Sequence, residues 1–321
     1  MTKPPPQSDQ PAAHPPAAPR RSYDARIPLL VFIPVVAIAL VWFWGFRPEE
    51  AAAAVSGRFE LGPGIRLVKL YSEMGNIDVS VGPPGRVVYT GKTLRVTKDA
   101  ALLARAVAAP FDFVRDTSAP ADQLVLRVSP FPEGFQPVHQ RSTNGDTAPK
   151  DPRPTLFRQI DLEVQIPVDV AVEVEAKQSH VRIDTRQAPT RVKSAGTMVL
   201  LHTAAALDVT NVDGSTMIEQ HRGPLVVHAK GKTRVTFLEV VAPATIVNAL
   251  GEVDLMLPRH ASFTVDARSV TGKVVSAFPL TKSKLGERGM RAQGTVGLAG
   301  GPTLDIESQN GTLTLRASKS K

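Results

Sequence analysis

The sequence contains no cysteine, which excludes disulfide bonds, thiolate metal sites and a cysteine nucleophile. Aromatic residues are scarce, with only three tyrosines and two tryptophans in 321 residues. The net charge of +8 is scattered, without any run of five or six like charges. A nucleic-acid surface normally combines a basic cluster with interleaved aromatic side chains, so we expect no nucleic-acid partner.

The motifs of common catalytic sites are missing as well. The chain has no G-x-S-x-G, no Walker A loop and no H-E-x-x-H. We therefore expect a protein that is not an enzyme, with no catalytic residue, cofactor or metal ion.

One long apolar run is present, "IPLLVFIPVVAIALVWFWGF" at Ile27–Phe46, and it carries no charge. Twenty helical residues span about 30 Å, the hydrocarbon thickness of a bilayer, so the run predicts one transmembrane helix. Pro34 predicts a kink, and Trp42 and Trp44 suit an interfacial belt. A cleaved signal peptide is the alternative, with small residues after the run at Ala52–Ala54, but its apolar core is normally shorter.

The flanking charges predict the orientation of this helix. Arg20, Arg21 and Arg26 precede it, and the positive-inside rule then places residues 1–26 in the cytoplasm. We expect a single-pass protein of a bacterial cytoplasmic membrane, with the bulk of the chain outside the cytoplasm. The Pro-rich tail, residues 1–26, is typical of disorder, and residues 47–55 are interpreted as a linker.

A short repeat runs through the rest of the chain, marked by a turn residue that is usually glycine. From Ser179 the turns recur at 17, 18, 17, 20, 21 and 39 residues, the last being about two periods. Positions two and four after each turn are apolar in thirteen of sixteen cases, and a second alternating segment precedes most turns. The glycines predicted to form structural turns are Gly75, Gly196, Gly214, Gly231, Gly251, Gly272 and Gly311.

Two short strands and a glycine turn in a constant register predict a mainly β fold. The expected architecture is a β-solenoid, a single-stranded β-helix-like stack in which neighbouring units share one core. By this interpretation Asn310-Gly311 is a corner rather than a hairpin turn. An antiparallel sandwich is the alternative, although it does not require a constant register.

The repeats are regular over residues 170–318 and loose over 56–169, which suggests a boundary at 169/170. Residues 98–109 predict a short covering helix within the first part, and residues 131–154 predict a mobile polar loop. Residues 278–301 form a Gly/Lys-rich excursion before the last strands.

Two segments carry a family resemblance, "GEVDLMLPRHASFTVDARSVTGKVVSAFPL" and "GGPTLDIESQNGTLTLRAS". They resemble the putative-adhesin family of bacterial envelope proteins, a domain of unknown function with repeated Asn/Asp-Gly turns. The resemblance implies a membrane-tethered β-solenoid on the outer side of the cytoplasmic membrane. Ser179-His180 departs from it, standing where the family often has glycine.

Scattered histidines and acids are candidates for chemical sites. His202, His221 and His228 could approach one another on adjacent coils, with Glu219 as a carboxylate, but surface histidines at corners explain their spacing better. Stacked carboxylates could cleave a polysaccharide, yet the acids here occupy different registers. They are Asp184, Asp208, Asp213, Glu252, Asp254 and Asp266.

Two functions follow from this sequence, with an enzyme as a distant third. The first is an adhesin-like module that binds or scaffolds an envelope protein or polymer. The alternative is a signalling protein whose solenoid senses the envelope and whose tail meets a cytoplasmic partner. A tail of 26 residues is short for a signalling domain, which favours the first.

Overall fold

The computed structural model describes residues 49–109, 112–129, 136–137 and 155–318. These residues form one helix, α1 (Ala100–Ala108), and 24 strands. The strands are β1 (Glu49–Glu60), β2 (Leu67–Met74), β3 (Ile77–Val81), β4 (Arg86–Thr97), β5 (Phe113–Arg115), β6 (Gln123–Val128), β7 (Gln136–Pro137), β8 (Thr155–Ile166), β9 (Ala171–Gln178), β10 (Val181–Arg186), β11 (Thr190–Ser194), β12 (Met198–Thr203), β13 (Leu207–Asn211), β14 (Thr216–His221), β15 (Leu225–Ala229), β16 (Thr233–Phe237), β17 (Ala244–Asn248), β18 (Val253–Pro258), β19 (Phe263–Ser269), β20 (Val274–Ser276), β21 (Thr281–Leu285), β22 (Gly289–Val296), β23 (Thr303–Ser308) and β24 (Leu313–Ser318).

The strands form two large sheets, so the protein is mainly β, as predicted. Sheet 1 has the order β1-β4-β8-β3-β10-β12-β14-β16-β18-β24-β20, and the two-residue β7 also pairs with β8. Sheet 2 has the order β21-β22-β19-β23-β17-β15-β13-β11-β9-β2-β6-β5.

From β9 to β18 the chain alternates between the sheets, adding one strand to each in turn. Strands two apart in sequence pair in parallel, so that Val181 lies beside Met198 and Met198 beside Thr216. The corner at Asn310-Gly311 joins β23 of sheet 2 to β24 of sheet 1, and these two strands do not pair with each other. The Asn-Gly pair is therefore a corner and not a hairpin turn.

The core lies between the sheets and is filled by the alternating apolar residues of both. Of the sixteen positions predicted to face inward after the turns, all are buried except Ser276, which is partly exposed. Two of these inward positions are threonines, Thr216 and Thr233, and both are buried. Period-two alternation fixes this pattern because successive strand side chains point to opposite faces.

The last two strands of the chain do not extend the stack but lie inside it. Strand β24 pairs with β18 on one side and β20 on the other, and β23 lies between β17 and β19. The predicted excursion at residues 278–301 contains the antiparallel pair β21–β22, and β22 pairs with β19 at the end of sheet 2.

The N-terminal strands continue the same two sheets. Strand β2 pairs with β9 and β3 pairs with β10, both in parallel. These pairs connect the segments on the two sides of the predicted 169/170 boundary. The predicted helix at 98–109 is present as α1, and its N-cap Asp99 accepts backbone hydrogen bonds from Ala101 and Leu102 at 2.8 and 3.3 Å.

One segment differs from its interpretation. Residues 47–55 were expected to be a linker, but from Glu49 onward they belong to β1, which pairs with β4 along its whole length. Within the ranges given above, no helix is long and apolar enough to cross a membrane. The predicted tail 1–26 and helix Ile27–Phe46 lie outside the described residues, as does nearly all of the predicted loop 131–154.

Candidate functional site

The turn glycines meet at one corner of the fold, where strands of sheet 2 lead into strands of sheet 1. We call the stack of Gly196, Gly214, Gly231, Gly251, Gly311 and Gly272, in that spatial order, the glycine column. A Cβ on Gly214 would lie 2.7 Å from the carbonyl oxygen of Gly196, and one on Gly231 would lie 2.2 Å from that of Gly214. Each turn thus rests directly on the backbone of the turn beside it.

The backbone of these glycines is not uniform. The φ angle is positive at Gly214, Gly231, Gly251 and Gly311, but not at Gly196 or Gly272. At Gly196 and Gly272 glycine is required only because there is no room for a side chain, since a Cβ on either would lie 2.1 Å from a carbonyl oxygen. Gly75 also has a positive φ, and its Cβ would lie 1.9 Å from the carbonyl oxygen of Ile160.

A row of buried polar side chains supports the column from inside. The amide nitrogen of Asn211 donates to the carbonyl of Gly196 at 3.1 Å, and that of Asn248 donates to Gly251 at 3.1 Å. The hydroxyl of Ser269 donates to Gly311 at 2.8 Å. This row was not predicted above, although its signal is visible as a serine or asparagine two or three residues before most of the turn glycines.

Ser179 occupies the equivalent position in the turn next to that of Gly196. At this position the residue is serine, not glycine. The main chain of this turn is held in place, because Ser194 Oγ donates to Ser179 O at 3.0 Å and the Ile77 amide donates to His180 O at 2.9 Å. The Ser179 side chain is 96% buried, being only 4% exposed, and its hydroxyl has no hydrogen-bond partner among the described residues.

An open groove of about 630 Å³ lies at this level. We call it the Ser179 groove. Four neighbouring turns, those of Gly75, Ser179, Gly196 and Gly214, contribute to it together with Gln159 of β8, and it lies at the Gly196 end of the glycine column. Its polar lining consists of Asn76, Gln159, Gln178, Ser179, His180 and Asp213, beside Met74.

The groove is rich in amide groups and carries little charge. The side-chain nitrogen of Gln159 donates to Asp161 at 3.0 and 3.2 Å, and the Asn76 backbone amide donates to the same carboxylate at 2.7 Å. Asp161 therefore holds Gln159 and the Asn76 backbone in place. Amides and imidazole can both donate and accept hydrogen bonds, so the surface is suited to a neutral polar ligand.

The opposite corner, where sheet 1 leads into sheet 2, contains a column of buried polar side chains. Arg186, Thr203 and His221 are each at most 2% exposed, and each follows a non-glycine residue with a positive φ. Arg186 donates to the carbonyls of Ile166 and Pro167 at 3.0 and 2.8 Å, and also to that of Val170. Burial lowers the pKa of Arg186 to about 10.

His221 is a structural residue of this corner. Its Nδ1 lies 2.8 Å from Thr203 Oγ1, and its Nε2 lies 2.7 Å from the carbonyl of Gly223. Burial lowers the pKa of His221 below its ordinary value. His202, by contrast, is exposed and contacts Asp184 at 2.9 Å. Within the described ranges, no three histidine or acidic side chains are grouped so that they could hold a metal ion.

Most of the acids that are candidates for stacked carboxylates lie in ion pairs on the outer faces. Asp208 pairs with Arg191 at 3.0 Å, and Asp266 pairs with Arg291 at 2.7 Å. The hydrogen bond from Arg291 holds the pKa of Asp266 below its usual range. Asp254 lies between two arginines and Glu252 lies near Lys232. Their arrangement is that of a charge ladder across sheet faces, with opposite charges on neighbouring strands.

No family model and no curated protein matches this chain. Among solved structures, a putative cell adhesion protein from Clostridium sporogenes is similar, with 11% identity, a TM-score of 0.32, and coverage of 85% of this chain and 100% of that one. A putative adhesin from Bacteroides fragilis has 11% identity and a TM-score of 0.28, covering 83% and 97%. A putative adhesin from Parabacteroides merdae has 7% identity and a TM-score of 0.24, covering 82% and 95%. At these scores the likeness does not define a family for this chain.

Proposed function

We propose that this protein is an adhesin-like, non-catalytic binding module, anchored in the cytoplasmic membrane and presented to the cell envelope. The observation that carries the proposal is the Ser179 groove, where a polar, amide-rich surface opens at the Gly196 end of the glycine column. We further infer that the alternating strands are the coils of a β-solenoid. The parallel pairing of strands two apart and the stacked corners support that architecture.

The ligand is a neutral saccharide chain that carries hydroxyl and acetamido groups. Such a ligand offers donors and acceptors in alternation, and the side chains of Asn76, Gln178 and His180 provide the complementary groups. The volume of about 630 Å³ is within the range of small-molecule binding sites. The backbone contacts of the Ser179 turn hold these side chains on a rigid support, which lowers the entropic cost of binding.

The proposal that the protein is non-catalytic is supported by the contacts that its carboxylates already make. Hydrolysis of a glycosidic bond needs two acids facing one ligand, one of them protonated. Here Asp208, Asp254 and Asp266 are committed to arginines on the outer faces. Asp213 lines the groove, and the nearby Asp161 carboxylate already accepts hydrogen bonds from Gln159 and the Asn76 amide.

Binding is tested with full-length protein in nanodiscs, titrated calorimetrically with chitooligosaccharides. We expect saturable binding, and a loss of about 3- to 10-fold in affinity for Gln178→Ala and for His180→Ala, since each removes a hydrogen-bonding group. His228→Ala is the matched control because His228 is exposed on sheet 2, away from the groove. Absence of saturable binding, or equal losses in the control, would count against the proposal.

Anchoring is proposed from Ile27–Phe46 and from the arginines that precede it. A phosphatase reporter fused after Lys321 should be active, and the protein should stay in the membrane pellet after a high-salt wash. An inactive reporter would show that the orientation is the reverse of the one proposed. A periplasmic product that lacks its first fifty residues would show instead that Ile27–Phe46 is a cleaved signal.

A further inference from the structure

The four edges of the two sheets are protected unequally. Strands β5 and β20 are three residues long, and β21 carries Lys282 and Lys284. Short edge strands and edge lysines are devices that prevent edge-to-edge pairing. Strand β1, at the end of sheet 1, is twelve residues long and has no partner on its outer side among the described residues.

The sequence of β1 lacks the features that usually prevent an edge strand from pairing with another strand. No charged residue occurs from Ala51 to Gly57, and the side chains there are small. Ala52, Ala53 and Ala54 are all exposed. A long, uncharged edge with small side chains is a ready template for the addition of another strand.

One hydrogen bond shows which backbone groups of β1 point outward. Thr93 on β4 donates its hydroxyl to the carbonyl of Ala53 at 3.2 Å, so this carbonyl is directed toward β4. Backbone groups alternate in direction along a strand, so those of even-numbered residues, including Ala52 and Ala54, point to the free edge.

We propose that β1 pairs antiparallel with β1 of a second copy of this chain, about a two-fold axis that passes through Ala54. This pairing joins only even-numbered backbone groups across the interface, as the outward direction requires. It places Glu50 opposite Arg58 of the partner subunit, twice by symmetry. A shift of one residue in each strand toward the C-terminus would place Glu50 opposite Glu60, with like charges, so the charges favour the first register.

The pairing adds roughly ten backbone hydrogen bonds and joins two copies of sheet 1 into one continuous sheet. Glu50 and Arg58 are both exposed, and within the described part of the chain neither belongs to an ion pair. They are therefore available to a partner. The interface is isologous, which makes it a closed dimer rather than a filament.

The register is tested by cross-linking in membranes, which the absence of native cysteine makes direct. Ala54→Cys places two thiols at the two-fold axis, with Cα atoms about 5.5 Å apart, and should give a covalent dimer with a short bis-maleimide. Ala52→Cys is the control, because Ala52 faces Ser56 of the partner subunit and the two thiols are about 14 Å apart along the strands. Ala52→Cys co-expressed with Ser56→Cys should cross-link.

Two further variants separate dimer loss from misfolding. Ala54→Pro removes an N–H that points outward, so it should abolish the cross-link of a Ser56→Cys/Ala52→Cys pair while leaving the circular dichroism unchanged. Glu50→Arg should reduce cross-linking severalfold, and Glu50→Arg combined with Arg58→Glu should restore it. Equal cross-linking of Ala54→Cys and Ala52→Cys, or no cross-link in a folded Ala54→Cys protein, would overturn the proposal.

Discussion

A Cβ on Gly311 would lie 2.0 Å from the carbonyl oxygen of Gly251, although Gly272 and its strand intervene in the sequence. The contact exists because β24 pairs with β18, while Gly272 stacks on the other side of Gly311. The final strands of the chain thus lie within the stack and hold its C-terminal levels together.

The first prediction concerns this contact. Gly311→Ala should lower the free energy of unfolding by about 2–4 kcal/mol, since the methyl group meets a fixed backbone and φ is +149°. The measurement is urea denaturation followed by circular dichroism. Gly64→Ala is the control, because nothing lies within 4 Å of its Cβ and its φ is not positive. Equal stability of the two variants would mean that the turns are not in contact.

The second prediction compares neighbouring residues on β18. Leu255 is fully buried, while Met256 is 36% exposed on the outer face. Leu255→Ala should cost about 2–5 kcal/mol of unfolding free energy through lost burial and the resulting cavity. Met256→Ala should cost less than about 1 kcal/mol. If the two costs were reversed in a denaturant titration, the inward register would be wrong.

The third prediction concerns Arg186, whose guanidinium donates to three carbonyls at the corner. Arg186→Ala should cost about 3–5 kcal/mol, because buried carbonyls lose their donors. Arg186→Lys should be intermediate, as an ammonium cannot reproduce the planar fork. Arg182→Ala, at an exposed site on the same strand, is the control and should be nearly neutral in thermal unfolding. A tolerated Arg186→Ala would show that the corner is closed by other contacts.

The fourth prediction is a pH dependence of stability. Burial lowers the pKa of His221 below its unfolded value of about 6.5, so the folded state favours the neutral ring. The stability from this effect is present above pH 6.5 and is lost as the pH falls toward the folded pKa, because the unfolded chain binds the proton first.

This dependence is measured by denaturant titrations between pH 7.5 and 5. His221→Gln should flatten it, since glutamine does not titrate and its amide can still donate to the Gly223 carbonyl. His228→Gln changes an exposed histidine and should leave the slope unaltered. An unchanged slope in His221→Gln would assign the pH dependence to other groups.

Much of the fold was set by local sequence pattern. Strict alternation in segments such as Leu225–Ala229 determined which residues are buried, because a strand exposes and buries side chains with a period of two. The repeated turn glycines gave the register of the corners, and the helical propensity of residues 98–109 gave α1. The serine or asparagine row beneath the glycine column was also readable from its spacing.

Other features were decided only by the tertiary structure. The insertion of β23 and β24 between earlier strands could not be derived from the spacing, because an alternating strand fits equally well at the end of a parallel sheet or between two of its strands. The expectation of a surface histidine was wrong for His221, because its burial depends on the hydroxyl of Thr203 from the neighbouring level, and the burial of Arg186 depends on carbonyls of the turn after β8. The Ser179 groove likewise depends on the stacking of turns, which brings together residues from distant parts of the chain, such as Asn76 and Asp213.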